Sequence, residues 1–246
     1  MHHVVLERWS RGTSYLHRRD PRAKIIILFT FLVVVSSTPI GAAPFLLVYA
    51  VLPVLALLAA RLPLGGALAR AAAILPFCAV FAVISFAAGD SARAVALVEK
   101  SYLSALAVLA IAGATPMPLL INGLRSLRVP RFLLQVIQFL YRYLFVISEQ
   151  AQHMRLAAAS RGGLQRSRFS TWRLRAAAGA VAVLFWKSYH RAEATYRAML
   201  SRGFEGRFHL LAAPAFGWAD VLLLVLGVMG PLALRLSMVL LGKWTL

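Results

Sequence analysis

Residues 71–88 read AAAILPFCAVFAVISFAA, an 18-residue stretch without a charged side chain. A helix of this length rises about 27 Å and so nearly crosses the ~30 Å hydrocarbon core of a bilayer. A surface helix of a soluble protein would instead carry polar residues along the face that meets water. We therefore predict that Ala71–Ala88 is a membrane span.

Four more apolar blocks lie on either side of this stretch. Hydrophobic residues make up 61% of the 246-residue chain and charged residues 14%, compared with about 45–50% and about 25% in soluble domains. This composition excludes a soluble enzyme domain and a disordered chain, and the single cysteine, Cys78, excludes a disulfide scaffold. Several blocks are short for a bilayer, but flanking basic side chains can reach the interface. The five predicted spans are Ile25–Thr38, Phe45–Ala60, Ala71–Ala88, Ala92–Ala114 and Trp218–Leu241.

The distribution of charge sets the expected orientation. The chain has 27 Lys+Arg and 8 Asp+Glu, a formal net charge of +19. With five spans, residues 1–24, 61–70 and 115–214 share one side of the membrane and hold 23 of the 27 basic residues. Segments rich in Lys and Arg lie on the cytoplasmic side of membrane proteins. We therefore expect a cytoplasmic N-terminus and an external C-terminus.

The segment Phe132–Ile147 is almost entirely apolar and is also a candidate span. If it crossed the membrane, the eleven basic residues of 155–207 would lie outside, and Arg142 would lie within the bilayer at a cost of about 3 kcal/mol. We therefore place this segment at the membrane interface or beneath the spans. It begins a long helix over residues 132–160, and a second long helix is predicted at Thr171–Ser201.

The expected fold class is an all-α integral membrane protein with about five transmembrane helices. Long cytoplasmic or interfacial helices are expected between the fourth and fifth spans. Asp20 and Pro21 mark the start of the first helix, as N-cap and first helical residue. The expected domains are 1–114 (N-terminal cytoplasmic segment and four spans), 115–214 (cytoplasmic helices) and 215–246 (last span).

The two long helices end in the same three residues. One ends in Ser160-Arg161-Gly162 and the other in Ser201-Arg202-Gly203, with the arginines 41 residues apart. A helix C-terminus carries partial negative charge that favours an adjacent arginine, and glycine ends the helix and admits close approach of a partner's backbone. The guanidinium group offers a fixed fork of donors to a carboxylate. The pair predicts two equivalent docking sites for a dimeric partner, with routine C-capping as the alternative interpretation.

Motifs for catalysis are missing from the sequence. It contains no G-x-x-x-x-G-K-[ST], H-E-x-x-H, C-x-x-C or G-x-S-x-G, and no pair of carboxylates placed for acid/base chemistry. We predict no catalytic residues and no bound cofactor, so that any ATP is hydrolysed by another subunit. The doublet His2-His3 could hold Cu(II) or Ni(II), but we favour a frayed terminus and predict no metal site. The basic residues lie between apolar helices, which favours a membrane surface over nucleic acid.

Three segments carry a family resemblance. They are Asp20-Pro21-Arg22-x-Lys24; Tyr141-Arg142-Tyr143 with Glu149 before Met154-Arg155-x-x-Ala157; and Ala198-Met199-x-Ser201-Arg202-Gly203-Phe204. Over nearly its whole length the chain resembles the transmembrane T component of energy-coupling-factor (ECF) transporters, close to the CbiQ type of cobalt and nickel importers. In that family the paired motifs are typically Ala-Arg-Gly or a close variant, so Ser160 and Ser201 are interpreted as tolerated replacements for alanine.

The resemblance implies a set of partners. Two coupling helices would dock on two ABC-type ATPase subunits, which bind the ATP and Mg²⁺. A separate substrate-binding membrane S component, CbiM-like, would contact apolar faces such as Phe132–Ile147, with room for a small accessory membrane subunit. The lipid bilayer is a further partner and nucleic acid is not. The residues that the resemblance assigns to ATPase docking are Ser160, Arg161, Gly162, Ser201, Arg202 and Gly203.

The expected function is that of a non-catalytic, energy-coupling subunit of an ATP-driven importer in the inner or plasma membrane of a prokaryote. By the same resemblance cobalt is the first candidate substrate, followed by nickel and by a vitamin such as biotin. A stand-alone carrier is one alternative, and it requires ionisable residues that face each other inside the spans. A membrane scaffold is another, and it leaves the repeated Ser-Arg-Gly unexplained.

Overall fold

Helices form all the regular secondary structure in the residues that the computed structural model describes, which are 9–10, 12–39, 43–162, 171–206 and 216–240. The predicted all-α fold class is confirmed. A single 3-10 turn, Ala72–Ile74, joins two of the α-helices in these ranges. The α-helices are α1 (Pro21–Ser37), α2 (Ala43–Ala59), α3 (Leu64–Ala71), α4 (Leu75–Ala87), α5 (Ser91–Gly113), α6 (Met117–Ser126), α7 (Arg131–Ser160), α8 (Thr171–Leu200) and α9 (Trp218–Leu240).

The chain forms two compact units. The first consists of Met1–Val129 with Ala213–Leu246, and the second of Pro130–Ala212. The first unit therefore contains α1 to α6 and α9, and the second contains α7 and α8.

The short helix α6 belongs to the first unit, whereas the predicted domain of cytoplasmic helices, 115–214, includes it. It packs against α1, and its Ile121 and Gly123 are buried. A Cβ atom added to Gly123 would lie only 2.9 Å from the side chain of Ile25. The compact units therefore divide after Val129, and the domain bounds after residues 114 and 214 stay a prediction.

Helix α5 is the centre of the first unit. It packs against α1, α2, α3 and α4, and α9 packs against α1. Leu106 and Ala110 of α5 join a buried cluster that includes Leu57. Leu103 joins a second cluster that includes Tyr49. The first unit therefore has an apolar interior built on several faces of one central helix.

Four helices of the described residues are long and apolar enough to cross a membrane. One is Leu64–Ala87, which joins α3, the 3-10 turn and α4. The others are Ser91–Gly113, Arg131–Ser160 and Trp218–Ser237. The first, second and fourth coincide with the third, fourth and fifth predicted spans. Helices α1 and α2 have 17 residues each, fewer than the about 20 that cross the hydrocarbon core. The remaining candidate is α7, which the charge distribution places at the interface, so the count of five spans stays a prediction.

The two helices of the second unit lie antiparallel. Gln135, near the start of α7, donates from Nε2 to the carbonyl of Gly206, beyond the end of α8, at 2.6 Å. Further along α7, the hydroxyl of Tyr143 lies 3.0 Å from Thr195 Oγ1. Each helix has 30 residues and is therefore about 45 Å long. In α7 only Leu134 is buried, so this helix exposes most of its surface.

Candidate functional site

The first Ser-Arg-Gly motif ends α7 as predicted. The helix ends at Ser160, Arg161 is the C-cap, and Gly162 follows with φ of 73°. This left-handed conformation suits glycine, because a Cβ atom would meet the following carbonyl there. The N–H of Gly162 donates to Ala159 O at 3.0 Å, which satisfies one carbonyl of the last turn. Gly163, the second glycine of the predicted helix stop, lies outside the described residues.

The second motif ends α8 in the same geometry. Gly203 has φ of 75°, and its N–H donates to Leu200 O at 3.0 Å. The N–H of Phe204 donates to Met199 O at 3.0 Å. These two bonds are the pattern of a glycine-terminated helix, with Arg202 at the C-cap position. The predicted ends of both long helices are thus confirmed to within one residue.

The arginine side chains at the two helix ends face solvent. Arg161 and Arg202 are both exposed, and neither guanidinium makes a hydrogen bond or an ion pair with another described residue. By contrast, Arg197 in the last turn of α8 pairs with Glu193. The guanidinium groups at the helix ends are therefore available as charged donors for an acidic partner.

The serine hydroxyls of the motifs are bonded within their own helices. Ser160 Oγ donates to Leu156 O and Ser201 Oγ donates to Ala198 O, both at 3.0 Å. A hydroxyl has one proton to donate, so neither serine has a donor left for a partner. Each acts as a small residue at the helix end.

The two motifs lie at opposite ends of the helix pair. Because α7 and α8 are antiparallel, Arg202 lies near the level of Gln135, at the start of α7, whereas Arg161 lies at the end of α7. The separation corresponds to about 25 residues, or about 37 Å along α7. The structure therefore presents two separate basic tips, each an exposed arginine followed by a glycine with positive φ, and does not combine them into one site.

An apolar groove of about 550 Å³ lies between α7 and α8. Tyr143 and Met199 are among its apolar lining, and Lys187 and Arg191 add positive charge to it. Exposed apolar surface of this extent marks contact with lipid or with another protein. Outside the groove the two helices also expose large apolar side chains, with exposed fractions of 77% for Phe132 and 73% for Phe185.

A buried polar junction joins three helices of the first unit. Asp20 caps the N-terminus of α1, as predicted, and its own N–H donates to Asp220 Oδ1 at the start of α9 at 3.1 Å. Lys24 Nζ donates to Ala114 O and Thr115 Oγ1 at 3.2 Å each, where α5 ends. An ammonium group is favourable at a helix C-terminus. The Asp20-to-Lys24 motif therefore ties α1, α5 and α9 together at one end.

The sequence identifies Asp20 and Lys24 through the resemblance but does not identify their partners. Asp220 is 6% exposed, also accepts the N–H of Gly217 at 3.0 Å, and lies 4.0 Å from Arg19. In the sequence, the signal for this contact is a lone carboxylate, Asp220, at the start of a predicted span. Its partner lies 200 residues earlier in the chain, and no local pattern connects the two.

Residues that bind metal ions do not cluster in the described ranges. There, no group of three or more His, Cys, Asp or Glu side chains could hold a metal ion. Cys78 is buried and free. The doublet His2-His3 lies outside the described residues.

Comparisons with known proteins point to a family. The family model CbiQ, described as a cobalt transport protein, matches residues 12–210. The cobalt transport protein CbiQ of Rhodobacter capsulatus is 30% identical over 129 residues, which are 52% of each chain. An uncharacterized protein of Methanocaldococcus jannaschii is 33% identical over 105 residues, 42% of this chain and 38% of that one. The matched regions thus span about half of the first relative and less of the second.

Proposed function

Because the chain belongs to the CbiQ family of cobalt transport proteins, we propose that it is the energy-coupling membrane subunit of an ATP-driven importer of cobalt ions. The observation that carries this proposal is the pair of exposed, identically capped arginines at the ends of α7 and α8. In the proposal Arg161 docks on one ABC-type ATPase subunit and Arg202 on the other. The chain itself hydrolyses no ATP, and its partners bind ATP and Mg²⁺.

The charge and spacing of the two tips support a dimeric partner. Each guanidinium can make a two-pronged contact with a carboxylate, and the glycine beside it leaves space for the partner's backbone. Two contacts about 37 Å apart along a helix require a surface with two separated grooves. A pair of ATPase subunits supplies such a surface.

The helix pair supplies a stiff link from the ATPases to the substrate-binding subunit. Movement of the tips on ATP binding passes along α7 and α8, which the Tyr143–Thr195 contact holds together. The apolar face that includes Phe132–Ile147 then transmits the movement to a membrane S component, which holds the cobalt ion and releases it inward. Nickel and a vitamin are the alternative substrates of this mechanism.

The proposed location is the plasma membrane of a prokaryote, and the charge distribution supports the orientation of the chain in it. The proposed orientation has the N-terminus and the α7–α8 pair in the cytoplasm and the C-terminus outside. This orientation keeps 23 of the 27 basic residues in the cytoplasm. It also places both arginine tips on the side where ATP is available.

The deciding experiment is purification of the tagged chain from its native membrane in mild detergent, followed by mass spectrometry of its partners. We expect an ABC-type ATPase and a small membrane protein. Arg161→Glu or Arg202→Glu should lower ATPase recovery at least tenfold, since each reversal opposes two like charges across a docking contact. The double variant should lose uptake of radioactive cobalt.

Matched charge reversals provide the control. Lys187→Glu and Arg191→Glu change exposed basic residues near the middle of α8, at least about 15 Å along the helix pair from either tip, and should retain the ATPase. Wild-type cobalt uptake by the double tip variant would overturn the docking assignment. ATP hydrolysis by the homogeneous chain alone would contradict the assignment of hydrolysis to the partner ATPases.

A further inference from the structure

A second cavity, in the first unit, has no part in the proposed coupling mechanism. It has a volume of about 350 Å³ and lies between α1, α2, α5 and α9. Its lining is apolar except for Tyr15 and Lys24. Lys24 is 1% exposed and carries its ammonium group at one end of the cavity, beside Ala114 and Thr115.

The cavity has a depth close to half a membrane. Pro53 of α2 and Pro231 of α9 both lie in its wall. Near these prolines α2 and α9 approach each other, since a Cβ atom added to Gly230 would lie 3.7 Å from Leu52. From Leu222 to Pro231 the wall of α9 rises about 13 Å, compared with about 15 Å for one leaflet of a ~30 Å core.

The cavity is bordered by side chains that face outward from the helix bundle. Leu55 of α2 is 55% exposed, and Leu222 and Leu226 of α9 are 60% and 63% exposed. In a membrane protein these side chains meet lipid. A hydrocarbon chain can therefore enter sideways between α2 and α9, and water has no polar partners along most of the wall.

The rim at the α1 end of the cavity carries an excess of positive charge. Residues 18–24 hold four basic side chains and one carboxylate, Asp20. Arg22 lies 3.8 Å from Asp20, and Arg19 lies 4.0 Å from Asp220. Arg19 also lies over the ring of Tyr15, with its Cζ 3.8 Å from the ring centroid. Arg18 is exposed. A negatively charged headgroup at this rim would be attracted to the uncompensated basic side chains.

We propose that this cavity binds one acyl chain of an anionic phospholipid, with the phosphate held at the basic rim by Arg18 and Arg19. The leaflet is the one on the side of residues 12–24. Free phosphate would satisfy the rim but would leave the apolar cavity unfilled, and a neutral lipid would fill the cavity but leave the rim uncompensated. Charge and depth together therefore select an anionic lipid.

Native mass spectrometry of the full chain in mild detergent tests the proposal. After incubation with equal amounts of phosphatidylglycerol and phosphatidylcholine, the chain should retain one phosphatidylglycerol at least fivefold over phosphatidylcholine. Ala56→Phe, which fills the cavity, should lower this retention at least fivefold. Ala79→Phe adds the same side chain at an exposed site on α4 and should leave retention unchanged. Inorganic phosphate or glycerol phosphate in excess should not displace the lipid.

A second pair of variants tests the headgroup and guards against misfolding. Arg18→Gln with Arg19→Gln should remove the preference for phosphatidylglycerol while keeping one lipid bound. Ala59→Phe fills the same cavity from an exposed position. It replaces Ala56→Phe in the experiment if Ala56→Phe lowers the melting temperature. If a folded cavity-filling variant retained as much phosphatidylglycerol as the wild type, the site would be wrong. If the wild type retained the two lipids equally, the role of the rim would be wrong. Displacement by free phosphate would show an anion site without an acyl chain and would likewise overturn the proposal.

Discussion

At the two arginine tips, a serine precedes each arginine. Both serine hydroxyls donate to carbonyls of their own helices, at 3.0 Å, and the arginines beside them are exposed. A serine in this state resembles alanine in size and adds no donor for a partner. The chemistry of each tip is therefore concentrated in one guanidinium and in the glycine that shapes the chain around it.

Replacement of the tip serines by alanine should therefore change little. We expect Ser160→Ala with Ser201→Ala to keep ATPase affinity within twofold of wild type, since the exposed guanidinium groups are untouched. Titration of the purified ATPase against the chain, with Arg202→Lys as the comparison, measures this. Arg202→Lys should weaken binding at least fivefold, because lysine lacks the two-pronged fork; a larger loss from the serine pair would contradict the assignment.

The buried junction at Asp220 should matter more for stability than an exposed cap of the same residue type. Asp220→Ala removes the acceptor of the buried N–H of Asp20 and of the partly buried N–H of Gly217, at an expected cost of about 3 kcal/mol. Asp90→Ala removes the partly exposed cap of α5 at a cost of about 1 kcal/mol. Thermal unfolding in detergent compares them, and an equal fall in melting temperature would argue against the junction.

Local rules explain which residue-level features could be predicted. The cap at Asp20 and the helix stops at Gly162 and Gly203 depend on neighbours within a few positions, so the sequence alone reveals them. The bonds from Lys24 to Thr115 and from Asp20 to Asp220 join residues 91 and 200 positions apart. Such bonds follow from how the helices pack, which no short pattern encodes.

At the scale of elements, the long helices α7 and α8 were predictable and the first two spans were less so. The ends of α7 and α8 carry glycine signals, and both lie within one residue of the predicted positions. The predicted spans Ile25–Thr38 and Phe45–Ala60 correspond to helices of 17 residues. Hydropathy identifies such helices. It does not distinguish a short helix that crosses the membrane from a long apolar helix, such as α7, that lies along the membrane surface.

Close packing of α1 against α9 should tolerate no side chain at Gly227. A Cβ atom there would lie 2.7 Å from Ile27, so Gly227→Ala should cost about 1–3 kcal/mol through overpacking. Adding Ile27→Ala should restore part of the loss, as measured by thermal unfolding. Gly179→Ala in α8 meets nothing within 4 Å and should instead stabilise its helix by up to about 1 kcal/mol. A neutral Gly227→Ala would show that these helices are not in close contact.

For the whole molecule, the prediction to test is the five-span path of the chain through the membrane. In a Cys78→Ser background, Ser91→Cys should react with an impermeant maleimide from outside intact cells, whereas Glu205→Cys and Thr13→Cys should react only after permeabilisation. This follows from the retention of basic segments in the cytoplasm. If α7 crossed the membrane and α8 did not, Glu205→Cys would react from outside, and the five-span topology would be wrong.

The antiparallel contact between α7 and α8 has a mechanical consequence. Eighteen residues separate Tyr143 from Arg161, but only seven separate Thr195 from Arg202, so the two lever arms measured from the contact are about 27 Å and about 10 Å. A stroke of given length at Arg202 therefore turns its helix through more than twice the angle that the same stroke at Arg161 produces. If two identical ATPase subunits moved both tips by the same distance, α8 would rotate more than α7. This difference would add a net twist to the closing motion.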